Sequence, residues 1–289
     1  MSETHGNYYV PHDTNWWPIV GSVGLTTLLV AFANHLNGGS TASWFMLLGL
    51  AITIFMFFGW FALVIKESEG GLYNKQVDIS FRWGMFWFIL SEVMFFAGFF
   101  GALFYARTLS LPWLGGEGHG IMTNSFLWPN FDMEWPSNGP ANMGGDYQAM
   151  GAAGIPALNT LLLLMSGVTI TWAHHALKAN HRGQLIIGMI LTIALGFTFL
   201  GFQAYEYAHA YSEMNLTLAS GIYGSTFYML TGFHGMHVTL GAIMLTVILI
   251  RCIKGHFKPE HHFGFEAVAW YWHFVDVVWL GLFVFVYVL

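Results

Sequence analysis

The sequence predicts an all-α integral membrane protein with seven transmembrane helices, and three observations lead there. Of the 289 residues, 56% are hydrophobic and only 8% charged, whereas soluble domains carry roughly 25% charged residues. Seven apolar stretches are each long enough to cross a bilayer, which takes about 20 helical residues. The Lys and Arg residues gather almost entirely on one side of the connections between those stretches, as cytoplasmic loops of membrane proteins do.

Taken in order, the spans read 16–36, 43–65, 81–107, 156–178, 183–209, 220–251 and 261–288. Trp16, Trp17, Trp44, Trp60 and Tyr105 lie near span ends, where amphipathic rings sit at the headgroup level. The first two spans form a hairpin, 16–65. The remaining five form a bundle over 81–289, interrupted by a long segment at 108–155. All nine basic residues are quickly located: Lys66, Lys75, Arg82, Lys178, Arg182, Arg251, Lys254, Lys258 and Arg107. All but Arg107 fall in or beside the connections between spans 2 and 3, 4 and 5, and 6 and 7. Those connections are therefore expected inside, with the N-terminus cytoplasmic and the C-terminus and segment 108–155 outside.

Composition also excludes. The one cysteine, Cys252, leaves neither a disulfide framework nor a cysteine metal site. A net charge of −6 without a basic run gives no nucleic-acid footprint. The opening "MSETHGNYYVPHDTN" has no Lys or Arg and no early apolar core. It reads as a cytoplasmic tail, 1–15, without a cleavable signal peptide, so span 1 would direct insertion. Segment 108–155 is rich in Gly, Pro, Asn and Trp; its "WPNF" and "EWP" aromatics suggest that part of it packs on something, although loops accept insertions freely.

Ionisable residues inside spans are rare and mark a function or a buried partner. Glu92, in "FILSEVMFFAGFF", lies about 16 Å into span 3 at 1.5 Å per residue, near the midplane, with no Lys or Arg nearby in the chain. Two readings stand open: a proton-exchanging or lipid-touching carboxyl, or a neutral acid hydrogen-bonded to another helix. The histidines fall into three groups: His174, His175 and His181; His234 and His237; His256, His261 and His262. Such clusters suggest a membrane di-iron hydroxylase or desaturase. Topology opposes it, because His234 and His237 sit mid-span while the other groups sit at the cytoplasmic face, and metal ligands must converge within a few ångströms. No metal site is expected, and His234 and His237 read as interhelical hydrogen-bonding groups.

Two further sets of residues carry expectations. Arg251, Lys254, His256 and Lys258 cluster at the cytoplasmic end of span 6, where anionic headgroups are attracted by about 1 kcal/mol per basic residue. A specific lipid pocket there would need an aromatic or an acid as well, for instance Trp60 or Glu67. In span 7, Glu266 and His273 fall within about 20° of each other on the helix, with Asp276 about 60° further round. A polar stripe cannot face lipid, so these three read as a seam fastening span 7 into the bundle, with the glycines and histidines of span 6 as neighbours.

The segments "SFRWGMFWFILSEVMFFAGFFGALFYAR", "LNTLLLLMSGVTITWAHHAL", "FQAYEYAHA", "GIYGSTFYMLTGFHGMHV" and "HHFGFEAVAWYWHFVDVVWL" together resemble subunit III of haem–copper cytochrome c oxidases of bacterial type. The resemblance covers all seven spans and leaves out the tail and most of 114–155. It implies that helices 1 and 2 lean away from helices 3–7 around a V-shaped, lipid-filled cleft. It implies a non-catalytic subunit of a proton-pumping oxidase in the bacterial plasma membrane. Such a subunit carries no cofactor of its own, and haem and copper reside in subunits I and II. Its partners would be those subunits and structural phospholipids, with cytochrome c as substrate of the complex, and its role would be to support proton uptake into subunit I and its stability in turnover. Residue by residue, Glu92 matches the family's intramembrane acid at the cleft. Arg251 and His256 match basic positions near a headgroup, and Trp60 and Glu67 lie at the matching end of helix 2.

Overall fold

A computed structural model describes residues 15–289, and the expected tail, apart from Asn15, lies outside the described residues. Among the described residues, seven helices are long and apolar enough to cross a membrane: α1 Trp17–Leu36, α2 Ala42–Glu69, α3 Lys75–Leu114, α4 Ile155–Lys178, α5 Arg182–Glu213, α6 Gly221–Lys254 and α7 Phe263–Val288. Several run past the expected spans: α2 reaches Glu69 rather than 65, α3 begins at Lys75 rather than 81, and α5 reaches Glu213 rather than 209. The added turns are polar, so an apolar run stops short of them, while the helix continues through the interface because its backbone groups are still satisfied internally.

The expected external segment, 108–155, also needs correcting. Residues 108–114 remain helical, so the connection proper is 115–154. The chain widens into a π turn over Ala106–Ser110 and then holds one further turn, Leu111–Leu114, with proline in its first positions. A proline cannot donate to the preceding turn, and a local π widening absorbs that loss.

The chain divides into two compact units, one through Trp83 and one over Gly84–Leu289. In the first, α1 and α2 pack as an antiparallel hairpin whose contact is made of glycines. A Cβ on Gly24 would lie 2.9 Å from the Thr53 hydroxyl, and one on Gly49 would lie 2.5 Å from the Leu28 backbone nitrogen. Only small residues permit backbones this close in lipid, where packing rather than the hydrophobic effect joins helices.

In the second unit, α4 and α5 lie antiparallel. The hydroxyls of Thr169 and Thr192 meet at 2.8 Å, and Gly188 abuts Ala173. Their shared groove receives α7, the most enclosed of the seven helices. Trp272 is fully buried and its indole N–H donates to Ser166 Oγ on α4 at 2.8 Å. Gly196 of α5 and Gly241 of α6 make room for that indole on either side. Two turns further along α7, the Trp279 indole donates to Thr160 Oγ1 at 2.9 Å. Each indole thus buries a large apolar ring while keeping its one donor satisfied.

The connection 115–154 is anchored rather than loose. A short helix, Ile121–Leu127, is tied back by Asn124 Nδ2, which donates to the Leu114 and Trp128 carbonyls. Further on, Tyr147 stacks on Tyr223 at 5.6 Å and Trp135 meets the same ring edge-on at 5.7 Å. The Tyr223 backbone N–H donates to the Ser137 carbonyl and its hydroxyl accepts from Met150 N–H. Asn215 Nδ2 donates to the Gly144 and Asp146 carbonyls. Gly221, at positive φ, starts α6 so close to the Asn138 carbonyl that no side chain fits there. Burial pushes the Tyr147 phenol up to about 12. The "EWP" aromatic therefore does pack, against the first turn of α6.

Candidate functional site

A polar pair joins α3 to α6. Glu92 Oε2 and His237 Nε2 are 2.8 Å apart, although the residues are 145 positions apart in the chain. The other imidazole nitrogen, Nδ1, lies 2.7 Å from the Phe233 carbonyl oxygen. A carbonyl can only accept, so Nδ1 carries a hydrogen and donates. The bond between Nε2 and Oε2 then holds one proton, on the carboxyl beside a neutral imidazole or on the imidazole beside a carboxylate. Either way the pair is electrically neutral overall, which removes the cost of a lone charge in the membrane. Phe96 edges the imidazole at 5.1 Å, and Tyr271 stacks on it at 6.3 Å. His237 is 7% exposed at its side chain, whereas the Glu92 carboxyl keeps 21%. Glu92 is therefore bonded to another helix and still reaches the unit's surface.

His234, one turn earlier on α6, plays a simpler part. Its Nε2 lies 3.2 Å from the Val275 carbonyl oxygen and, by the same reasoning, donates to it. Phe199 and Trp279 enclose the ring.

The stripe on α7 faces a different neighbour from the one expected. His273 Nδ1 and Asp276 Oδ2 are 3.8 Å apart, and His273 Nε2 lies 3.2 Å from Thr171 Oγ1 on α4. Asp276 rests against Gly167, also on α4, where a Cβ would come within 2.6 Å of Oδ2. Glu266 opens the same helix in its first turn. The His273–Asp276 part of the seam thus lies along α4, while α6 meets α7 through His234 and through the Tyr271 hydroxyl, which donates to the His237 carbonyl. A helical wheel gives the angle of a stripe but not which neighbour stands at that angle.

The C-terminal end of α6 is shaped by its cap. Gly255 adopts a left-handed conformation, its N–H donates to Cys252 O, and His256 N–H donates to Arg251 O. This pairing closes a helix C-terminus and needs glycine at the turn. The turn brings Phe257 under the Arg251 guanidinium, 4.4 Å from the ring centroid, and Gly264 leaves room for it. Arg251 is buried, His256 half-buried and Lys254 exposed. In the other unit, Trp60 is half-buried, and Glu67 Oε2 accepts from the Tyr73 hydroxyl at 2.7 Å.

Two residues lay outside the sequence expectations. Arg182, at the start of α5, donates to the Cys252 and Ile253 carbonyls at the end of α6, a cation placed at the negative end of a helix. In the sequence it had counted only toward orientation. Glu206 on α5 is buried and accepts the Tyr287 hydroxyl at 2.6 Å. Its signal was an acid within "FQAYEYAHA", hidden by its nearness to the expected span end.

Among the described residues, no three His, Cys, Asp or Glu side chains converge as metal ligands would. His174 and His262, from two of the three histidine groups, only pack edge to face at 5.3 Å.

These features define a class: a multi-pass α-helical membrane protein whose buried polar groups fasten helices to one another. The profile of the family described as cytochrome c oxidase subunit III matches residues 7–289. Curated relatives named cytochrome c oxidase subunit 3 include those of Drosophila yakuba, 41% identical over 286 residues and 98% of each chain, and Marchantia polymorpha, 39% identical over 288 residues, 99% of this chain and 97% of the other. That of Carassius auratus is 41% identical over 276 residues, 95% of this chain and 94% of its own. The chain belongs to the cytochrome c oxidase subunit III family and is thereby a non-catalytic, membrane-embedded subunit of an oxidase complex. The di-iron hydroxylase reading is left without support.

Proposed function

We propose that this subunit packs beside subunits I and II, binds structural phospholipid, and sustains proton uptake into subunit I and its lifetime during turnover. The Glu92–His237 pair carries this reading. It holds one proton between two helices at the centre of the span while its carboxyl keeps a surface-exposed edge. The Arg251, Lys254 and His256 end supplies a headgroup-level positive charge. The gathering of Lys and Arg on one side of the connections supports an orientation with the N-terminus cytoplasmic and residues 115–154 outside, in the plasma membrane of a bacterium. Cytochrome c would be the substrate of the complex, with haem and copper held by the partner subunits.

The test is Glu92→Gln in the intact complex. Assembly should persist, because glutamine can still hydrogen-bond His237, while turnover lifetime shortens or the count of retained lipids in native mass spectrometry falls. Unchanged lifetime and unchanged lipid would reduce Glu92 to helix packing. Arg251→Ala should lower the amount of tightly bound phospholipid; the same lipid content as the parent would remove the α6 end from the proposal.

A further inference from the structure

We infer that Asn159, Gln203 and Glu206 hold an internal water molecule at the junction of α4, α5 and α7, on the outer side of Trp279. All three are almost wholly enclosed, at 0%, 5% and 2% exposure. Four of their polar atoms are buried without a hydrogen-bond partner among the described residues: Asn159 Nδ2 and Oδ1, Gln203 Oε1 and Glu206 Oε2. Buried polar groups almost always have partners, so four such atoms on neighbouring helices point to one that is not protein.

The helix register places them together. Thr169 pairs with Thr192, and Gly188 abuts Ala173. Continuing that antiparallel register outward brings Asn159 level with residues 202–203. The residues form the next layer of a stacked junction. Trp272 lies deepest, on Ser166 and against Gly196; Trp279 follows, on Thr160 and against Phe199. Beyond it come Asn159, Gln203 and Glu206, with Tyr287 of α7 closing the layer through its bond to Glu206 Oε1. Gln203 Nε2, at 3.5 Å from the same Oε1, ties the amide to the carboxyl. Asn159 and Gln203 thus sit at one level, with Glu206 one turn further out on the face that carries Gln203.

The unfilled atoms also identify the ligand. One is an N–H donor and three are oxygens. A cation would suit the oxygens but leave the Asn159 amide nitrogen unpaired and facing positive charge. Water suits both kinds: it accepts from Asn159 Nδ2 and donates to Gln203 Oε1 and Glu206 Oε2, filling three of the four atoms and leaving Asn159 Oδ1. Three bonds is the usual number for an internal water. So held, the water joins α4 to α5 where direct side-chain bonds do not, and sets the second oxygen of the Glu206 carboxyl.

The deciding measurement is a high-resolution map of the intact oxidase complex, together with the infrared carboxyl band of Glu206 assigned by its loss in Glu206→Gln. The expected result is a density within hydrogen-bond reach of all three side chains, unchanged when sodium and potassium are exchanged. Asn159→Leu should remove it and shift the carboxyl band. A map in which Asn159 bonds directly to Gln203 or Glu206, or a density that follows the cation supplied, would overturn the inference. So would a carboxyl band unmoved in an assembled Asn159→Leu complex. If that variant does not assemble, the parent map decides alone.

Discussion

The α1–α2 hairpin and the bundle from Gly84 onward solve the same problem, holding helices together in lipid, with different chemistry. The hairpin is joined by backbone proximity: Gly24 and Gly49 bring α1 and α2 into contact, and the hydroxyls of Ser22, Thr27 and Thr53 bond to their own helices. Most of its large apolar side chains, from Ile19 to Phe58, are exposed in this chain. The bundle is joined by specific polar bonds between helices: Trp272 to Ser166, Trp279 to Thr160, Glu92 to His237 and Tyr207 to Thr231. Close packing is tolerant along a helix face, whereas each hydrogen bond specifies one pair of residues. The bundle therefore has a fixed register of polar partners, and the hairpin has a smooth apolar surface suited to lipid.

That contrast can be broken most sharply at Trp272. Trp272→Ala would empty the volume between Gly196 and Gly241 and strand the Ser166 hydroxyl, at a cost of about 3–5 kcal/mol. Thermal unfolding of the complex should show this subunit lost well below the parent's transition. A smaller effect is expected in the hairpin. Gly49→Leu meets the Leu28 backbone and should cost about 1–3 kcal/mol through overpacking. Engineered cysteines across α1 and α2 should then crosslink less efficiently, while the bundle's own crosslinks persist. Equal loss in both regions would show that the two do not behave as separate units. The smallest effect sharpens the polar half of the comparison. Thr160→Val keeps the shape but removes the acceptor for Trp279, and should cost about 0.6 kcal/mol, the usual value of such bonds in membranes. A tryptophan fluorescence shift without loss of assembly would accompany it.

Legibility in the sequence followed the physics of each signal. The seven spans were readable because each needs only its own run of apolar residues, and the segregation of Lys and Arg supported the same count. Glu92 stood out because an acid flanked by Phe, Met and Val is unusual in any span. Its partner did not: His237 looks no different from His234, and only the packed helices separate an imidazole that meets a carboxyl from one that meets a backbone carbonyl. The reach of α3 to Leu114 was hidden by Pro112, which ends most helices but here follows a π turn. Glu206 was hidden because a span boundary drawn from hydropathy put it near the water, whereas Tyr287 covers it.

The sequence by itself determined the number of spans, the side of the connections that carries positive charge and the acid most in need of explanation. These depend on composition and local order, and a membrane reads both directly, segment by segment. Only the tertiary structure decided that Glu92 meets His237, that His273 and Asp276 lie against α4, that Arg182 closes the end of α6, and that Tyr287 covers Glu206. Those facts depend on how helices far apart in the chain are rotated and offset against each other. Glycines, indoles and hydroxyls at the contacts set that rotation jointly, so no single segment encodes it.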